Sequence, residues 1–538
     1  MIACRSCGVQ DCLDLHDVPV DQCKLRSGSK CSPCTAIEAL DVEIEAAKAT
    51  LARLFKKRFS LSTERNREHD SFARLPPEII SKIFSSCVPD EPYPFLGWAS
   101  PNPLFQKGEI PVALLLGSVS TRWRDISRST PQLWTYVKIN IEDPNSLESA
   151  KRFREWLARS GDLPVSITVY MKRHSSCLST AYTKPLPDSS TLPLIETINE
   201  ISNRWGTLEA HIPTDLISKL CGNGLSTTLD SLRLIPTEWR IYRRVPNTFT
   251  MRNVRPAPTQ ISLRGLSLHS MDVDWTNLAY IEGYGFRLDE CLLVLQQSPR
   301  LVRCNFEDVG QRDSTGWHDQ VQIVHKSVRW LCLDDRNNMD DFFDVVSLPS
   351  LFYLAFSAGY QPAQALESVT SFIKRSGCSL NTLRITNGDL QEAPIIPLLE
   401  ATPELYRLEL STVALSDTLF QHLGETVLDV YNGEDNAFLP DLDSIDFFGV
   451  STFSWPSVAA IYAPCDTDDS SDGVYRRECS LRIAVYGFEP YNVTHYIDDA
   501  NSAILRELIS ERGVDLRITD SQSQRSLIKD LELVMRSD

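Results

Sequence analysis

Ser298-Pro299-Arg300-Leu301-Val302-Arg303-Cys304-Asn305-Phe306 is the stretch from which the fold is read. A turn signal at Ser298-Pro299 runs into Leu301, then Cys304, then Phe306. The rhythm is apolar, two spacers, apolar, one spacer, apolar, and its final alternation is that of a short strand with one face in a core. The rhythm returns downstream. Leu348-Pro349-Ser350-Leu351 runs into Leu354 and Phe356, and Thr402-Pro403-Glu404-Leu405 runs into Leu408 and Leu410. A second likeness links Trp156-Leu157-Ala158-Arg159-Ser160-Gly161 to Phe372-Ile373-Lys374-Arg375-Ser376-Gly377. Each glycine is followed by a strand core, Ile167 and Val169 in one copy, Leu383 and Ile385 in the other. Both copies read as helix, glycine cap, turn, strand.

The strand cores centre on Leu208, Leu232, Ile281, Cys304, Leu331, Leu354, Leu383, Leu408 and Ile445. From Ile281 to Leu408 the steps are 23, 27, 23, 29 and 25 residues. That is the period of a strand-plus-helix repeat, so residues 142–538 are expected to form an irregular α/β solenoid. Two stretches interrupt it. Residues 236–260 carry Arg240, Arg243, Arg244, Arg252 and Arg255 among prolines and read as a loop. Residues 464–473 carry Asp466, Asp468, Asp469 and Asp472 and read as an exposed acidic loop. Ser502 to Arg512, Gly513, and Val514 to Ile518 read as one more helix, cap and strand.

Residues 72–141 form a different block. Leu75-Pro76-Pro77-Glu78 opens a helix, because proline suits the first turn and a carboxylate suits the positive end of the dipole. Ile80, Ile83, Phe84, Cys87 and Val88 give it an apolar stripe. A Pro-rich insert over 91–111 separates it from a second helix with Leu116, Val119, Trp123 and Ile126 on one face. Ser129 to Trp134 makes a turn, and Val137, Ile139 and Ile141 alternate as a strand.

This block resembles the F-box, and most of all the fungal F-box proteins that carry a charged helix ahead of it. The likeness rests on Leu75, Pro76, Glu78, Ile79, Ile83 and Phe84, then Val119, Ser120, Trp123, Arg124 and Ile126, then Ser129, Pro131, Leu133 and Trp134. The resemblance implies a three-helix module docking onto the Skp-family adaptor of a cullin–RING ubiquitin ligase. Leu75, Pro76, Ile79, Ile83, Val119, Trp123, Leu133 and Trp134 would then form the adaptor-binding set. Physically, so small a helical unit cannot bury both sides of its apolar helices by itself. The region behind it is similar to degenerate leucine-rich repeats, which implies an extended face for a protein target. The other reading is a non-catalytic scaffold in which the F-box-like helices only cap the solenoid, burying Leu75, Pro76, Ile79 and Ile83 against the first repeat.

Ahead of the block, residues 36–71 are expected to form one charged helix. Ile37, Leu40, Ile44, Ala47, Leu51 and Leu54 step alternately by three and four, which is heptad spacing. The head, residues 1–35, holds six of the chain's 15 cysteines. Its two Cys-x-x-Cys pairs, Cys4 with Cys7 and Cys31 with Cys34, could close a tetrahedral zinc site, or the head is an unstructured Cys-rich tail. No cofactor is otherwise required.

Composition sets the outer bounds. The 538 residues are 42% apolar and 23% charged, a globular balance. A net charge of −17 repels phosphate backbones, so no nucleic-acid partner is expected. No run is long and apolar enough for a membrane span or a signal stretch, so a cytoplasmic or nuclear protein is expected. Gly-rich phosphate loops, His-Glu-x-x-His and Gly-x-Ser-x-Gly are all missing from the sequence, and Asp334-Asp335 and Asp340-Asp341 read as solvated turn residues. The expectation is therefore an α+β and α/β adaptor with no catalytic residues, whose target the sequence does not name.

Overall fold

A computed structural model describes residues 32–69, 71–88, 111–142, 146–171, 188–237, 249–310, 322–334, 340–359, 362–386, 390–391, 394–425, 438–451, 453–462, 480–485, 497, 499–510 and 514–520. Most of the Cys-rich head, most of the Pro-rich insert, Arg240, Arg243, Arg244 and the 464–473 loop lie outside the described residues. The chain divides into two compact units, Met1–Leu133 and Trp134–Asp538.

The first unit is helical. Helix α1 runs Ser32–Glu68, starting four residues before the expected boundary at residue 36. Helix α2 is Pro77–Ser85, with Pro77 in its first turn and Glu78 beside it. Helices α3 (Val112–Val119) and α4 (Thr121–Arg128) follow. The sequence suggests one helix here, but the structure has two. Ser120 takes an extended backbone and its hydroxyl accepts from the Trp123 N–H, so it ends α3 and caps α4. The corner turns Val119 out to solvent, off the face that carries buried Ile126. Ile80 and Phe84 on α2 fill the small core, with the Trp123 ring 4.9 Å from Phe84 and 5.2 Å from Phe72. The Arg122 guanidinium donates to the carbonyls of Phe72 at 3.0 Å and Leu75 at 2.8 Å, which pins the chain ahead of α2.

The second unit is a mixed α/β assembly built on a long parallel sheet. Its strands are β1 (Tyr136–Asn140), β2 (Val165–Tyr170), β3 (Trp205–His211), β4 (Ser231–Leu234), β5 (Phe249–Thr250), β6 (Gln260–Arg264), β7 (Met271–Asp272), β8 (Tyr280–Tyr284) and β9 (Arg303–Glu307). There follow β10 (Ile323–Val324), β11 (Trp330–Asp334), β12 (Val346–Ser347), β13 (Tyr353–Ser357), β14 (Thr382–Thr386), β15 (Leu390–Gln391), β16 (Arg407–Leu415), β17 (Ser444–Ser451), β18 (Ser480–Val485) and β19 (Leu516–Asp520). Helices of four to fifteen residues lie between many of them, the longest being α5 (Ser146–Arg159) and, in the order counted along the chain after α6 (Asp188–Glu200), α7 (Thr214–Ile217), α8 (Leu288–Gln297) and α9 (Asp340–Val345), α10 (Pro362–Ser376).

Fifteen strands form the main sheet, in the order β1-β2-β3-β4-β6-β8-β9-β11-β13-β14-β16-β17-β18-β19, with β15 beside β16. Order in the sheet is order in the sequence, and the pairs are parallel. The residues at which the sequence centres its strand cores occupy one row. Leu208 pairs with Leu232, Ile281 with Cys304, Cys304 with Leu331, Leu331 with Leu354, Leu354 with Leu383, Leu383 with Leu408 and Leu408 with Ile445. All are 0% exposed. Two strands of the row were not foreseen, β6 and β18, the latter placing Leu481 between Ile445 and Leu516. Ile261 on β6 sits between Leu232 and Ile281, at the edge of the stretch that read as a loop. The Val137–Ile141 strand belongs to this sheet: β1 pairs along its whole length with β2.

Two helix ends follow the expected chemistry. Gly161 after α5 and Gly377 after α10 hold φ of +59° and +58°, the left-handed region that glycine enters without a Cβ penalty. Among the described residues no helix is long and apolar enough to cross a membrane.

Candidate interaction surfaces

Two surfaces qualify. The first is on the helical unit. Helix α2 is only nine residues long, yet it is apolar on two sides. Ile80 and Phe84 point into the core, while Ile79 and Ile83 remain 42% and 39% exposed. Pro76 is exposed and Leu75 half-buried just ahead of it. Helix α3 adds exposed Leu114, Leu115 and Val119. Leu114 and Leu115 were not singled out from the sequence; their adjacency in an apolar run hid which of them faced water.

The remaining members of the expected docking set lie inside. Trp123 is half-buried between Phe72 and Phe84. Leu133 is buried. Trp134 is 2% exposed and belongs to the sheet unit, where its ring lies 4.6 Å from that of Trp156. Trp156 donates its indole N–H to the Trp134 carbonyl at 2.9 Å, and the Arg159 guanidinium sits 4.5 Å over the Trp134 ring. Leu133 and Trp134 therefore serve packing and present no side-chain surface to a partner, because a docking anchor must be reachable before binding.

The second surface is the polar face of the long sheet. Parallel sheets are ordinarily covered on both faces. Here the positions between the buried rows carry polar and aromatic side chains, many of them half-buried or exposed. Tyr280, Arg303, Trp330 and Tyr353 are successive partners in one register row. Trp330 stacks on Tyr353 with 3.5 Å between ring centroids and 10° between planes. The Arg303 guanidinium lies 4.2 Å over Trp330 and 5.6 Å from Tyr280. This is a cation held between aromatic faces, on rigid strands. Burial pushes the Tyr353 hydroxyl up to about 12 and Tyr280 higher still, so both stay protonated and neutral.

Ion pairs flank the aromatic centre. On one side, Glu282 is 1% exposed and accepts from Ser262 at 2.8 Å and from Arg233 at 3.3 Å. Arg233 also lies 3.6 Å from Glu209, which in turn contacts His211 at 2.7 Å and accepts from Thr168 at 3.1 Å. Burial opposes ionisation of Glu209, but the hydrogen bonds from His211 and Thr168 and the nearby Arg233 charge outweigh it and hold its carboxyl below the usual range. On the other side, Arg407 bridges Glu409 at 2.9 Å and Asp446 at 2.5 Å, with Arg384 and Arg482 at 3.6 and 3.9 Å from the same two carboxylates. Between these networks, Glu307 accepts from the Asn305 amide at 3.0 Å. Burial, with Glu282 and Asp334 nearby, lifts its carboxyl to about 7.

Of these face residues only Asp334 was singled out from the sequence, as a solvated turn residue; it stands instead at the end of β11, half-buried, because the strand runs on through it. The only signal of the others was the aromatic and arginine content of the polar positions in each alternating strand. Of the Arg-rich stretch, the described members are already engaged: Arg252 donates to Asn223 at 3.2 Å and Arg255 lies 3.2 Å from Asp272. Cys4, Cys7 and Cys31 lie outside the described residues, and Cys34 falls in the first turn of α1. Among the described residues no cluster of three or more His, Cys, Asp or Glu side chains could hold a metal ion. Comparison with family models and with curated proteins yields no match.

Proposed function

We propose that this chain is a substrate-recruiting adaptor of a cullin–RING ubiquitin ligase, an F-box protein with leucine-rich-repeat-like architecture. The helical unit docks onto the Skp-family adaptor, and the strand face of the sheet unit holds a protein target. The protein does no bond chemistry; it raises the effective concentration of target lysines near the ubiquitin carrier. It acts in the cytosol or nucleus, where that machinery works.

The observation that carries the reading is α2, a short helix with Ile80 and Phe84 buried and Ile79 and Ile83 exposed on its other side. Exposed aliphatic side chains beside Pro76 form the kind of surface a partner covers. The order of the parallel strands and their continuous buried rows support a stacked repeat, and the Tyr280–Arg303–Trp330–Tyr353 row supplies the residue types that dominate interface energetics.

The test is a pull-down of the purified chain against the Skp-family adaptor. Wild type is set beside Ile79→Asp/Ile83→Asp and Leu75→Ala/Pro76→Ala. Ile79 and Ile83 lie outside the core, so the Asp pair leaves the fold intact by circular dichroism and abolishes binding. If wild type and variants alike fail to bind while folded, the scaffold reading replaces this one.

A further inference from the structure

Helix α1 spans 37 residues, and its heptad stripe stands in solvent. Ile37, Leu40, Ile44, Leu51 and Leu54 are 37–56% exposed. Singly exposed aliphatic residues are ordinary, but a stripe in strict three-four spacing is a seam. We infer that this seam is closed by a second copy of the same chain, running antiparallel.

The pattern of apolar residues permits this arrangement and the pattern of charge selects it. From Ile37 to Leu54 the stripe is symmetric about the bond between Glu45 and Ala46, with Leu61, next in register after Arg58, beyond the symmetric part. Turning a second helix end for end about that point sets Ile37 opposite Leu54, Leu40 opposite Leu51, and Ile44 opposite Ala47, each pair occurring twice. The paired length, residues 37–54, is about 27 Å. Between Ile37 and Ala47 the helix carries Glu38, Asp41, Glu43 and Glu45 and no cation. Between Lys48 and Arg58 it carries Lys48, Arg53, Lys56, Lys57 and Arg58 and no carboxylate. An antiparallel partner lays the acidic half of each helix on the basic half of the other. It also sets the two helix dipoles head to tail. Asp41 and Lys48, one residue past Leu40 and Ala47 on the same flank, meet across the seam in two symmetric pairs.

A parallel pair would lay acidic half on acidic half and basic half on basic half, with Glu43 and Lys48 of the other copy the one kind of opposite-charge pair across its flanks. It would also bring two copies of Arg58 face to face in the seam, because Arg58 continues the heptad after Leu54. In the antiparallel pair, Arg58 lies past the apolar core. Neither the docking reading nor the target reading is needed for this inference. If it holds, each assembly carries two copies of every other surface on the chain, with the two chains leaving the helix pair in opposite directions.

The experiment is sedimentation of the full chain over about 1 to 100 μM, the range in which a short helix pair shifts with concentration by mass action. Wild type should move from monomer to dimer. Leu40→Glu/Leu51→Glu should remain monomer, with unchanged far-ultraviolet ellipticity at low concentration, since both residues are exposed. Asp41→Lys should weaken the dimer by about tenfold, and the exchange Asp41→Lys/Lys48→Asp should restore it. In a parallel pair the exchange would set Asp at position 48 beside Glu43 of the other copy and restore nothing. A chain that stays monomeric at every concentration overturns the inference, whether α1 instead lies on its own chain or meets a different protein. So does a dimer that survives Leu40→Glu/Leu51→Glu, or one that the charge exchange fails to restore.

Discussion

Gly283 stands in a buried row where its register partners are Leu263 and Phe306, and it is the one place in that stretch with no side chain. The space is taken by Phe286, which is fully buried with its ring 6.1 Å from that of Phe306. A methyl group at 283 would lie 2.4 Å from Cε2, 2.5 Å from Cδ2 and 2.9 Å from Cγ of that ring. Carbon atoms pack at about 3.5–4.0 Å, so the ring must move by about 1 Å in a core that offers it no exit. Gly283→Ala should therefore destabilise the sheet unit by about 2–3 kcal/mol, the upper part of the range for overpacking. Phe286→Ala alone should cost about 3–5 kcal/mol through the cavity it leaves. The double variant should be less unstable than the two effects added, by about 1–2 kcal/mol, because the new methyl enters the vacated space. Urea midpoints followed by tryptophan fluorescence measure all three, with the slope checked for constancy because the chain has two units. A Gly283→Ala variant within about 0.5 kcal/mol of wild type, or strict additivity in the double variant, would refute the argument.

Glu307 has a folded-state pKa raised to about 7, so the native state holds its proton more tightly than the unfolded chain does. Its contribution is present at low pH and fades as pH rises from the ordinary carboxyl value through about 7; Glu307→Gln should remove that part of the pH dependence and be relatively more stable at pH 8, and an unchanged stability–pH curve would speak against the assignment. Glu282→Ala should cost about 2–3 kcal/mol, since Ser262 loses its buried acceptor and Arg233 keeps only Glu209 of its two carboxylates, and thermal unfolding that matches wild type would contradict this. Gly161→Ala and Gly377→Ala should each cost about 1–2 kcal/mol through the left-handed backbone alone, because a Cβ at either meets nothing within 4 Å. Ser120→Ala should cost about 1 kcal/mol by uncapping α4, with loss of ellipticity confined to the helical unit.

Much of the sheet was legible along the chain because each strand declares its own core position. Alternation around Leu331, Leu354 and Leu408 is a local property, and turn signals such as Leu348-Pro349 and the caps at Gly161 and Gly377 depend only on neighbouring backbone. Charge and heptad spacing likewise marked α1 before any contact was known. The strand at Ile261 was missed because arginines and prolines nearby outweighed a five-residue alternation, whereas its place between Leu232 and Ile281 is set by the gap their pairing would leave. The break at Ser120 was masked because Val119, Trp123 and Ile126 keep helical spacing straight across it. Trp134 read as a docking residue because its position in a motif says nothing of which unit receives its ring; Trp156 and Arg159 decided that.

The sequence by itself determined which residues lie inside most of the strands, where α2 begins and where α5 and α10 end, and that one long helix carries an apolar seam with its acidic half leading its basic half. Only the tertiary structure decided which residues stand side by side. Tyr280, Arg303, Trp330 and Tyr353 are more than twenty residues apart in sequence from one to the next, and parallel pairing in register brings their side chains into one stack. The physical reason is that periodicity encodes the direction a side chain faces within its own strand. Lateral neighbours are chosen by register between strands, which depends on how all the intervening turns and helices pack.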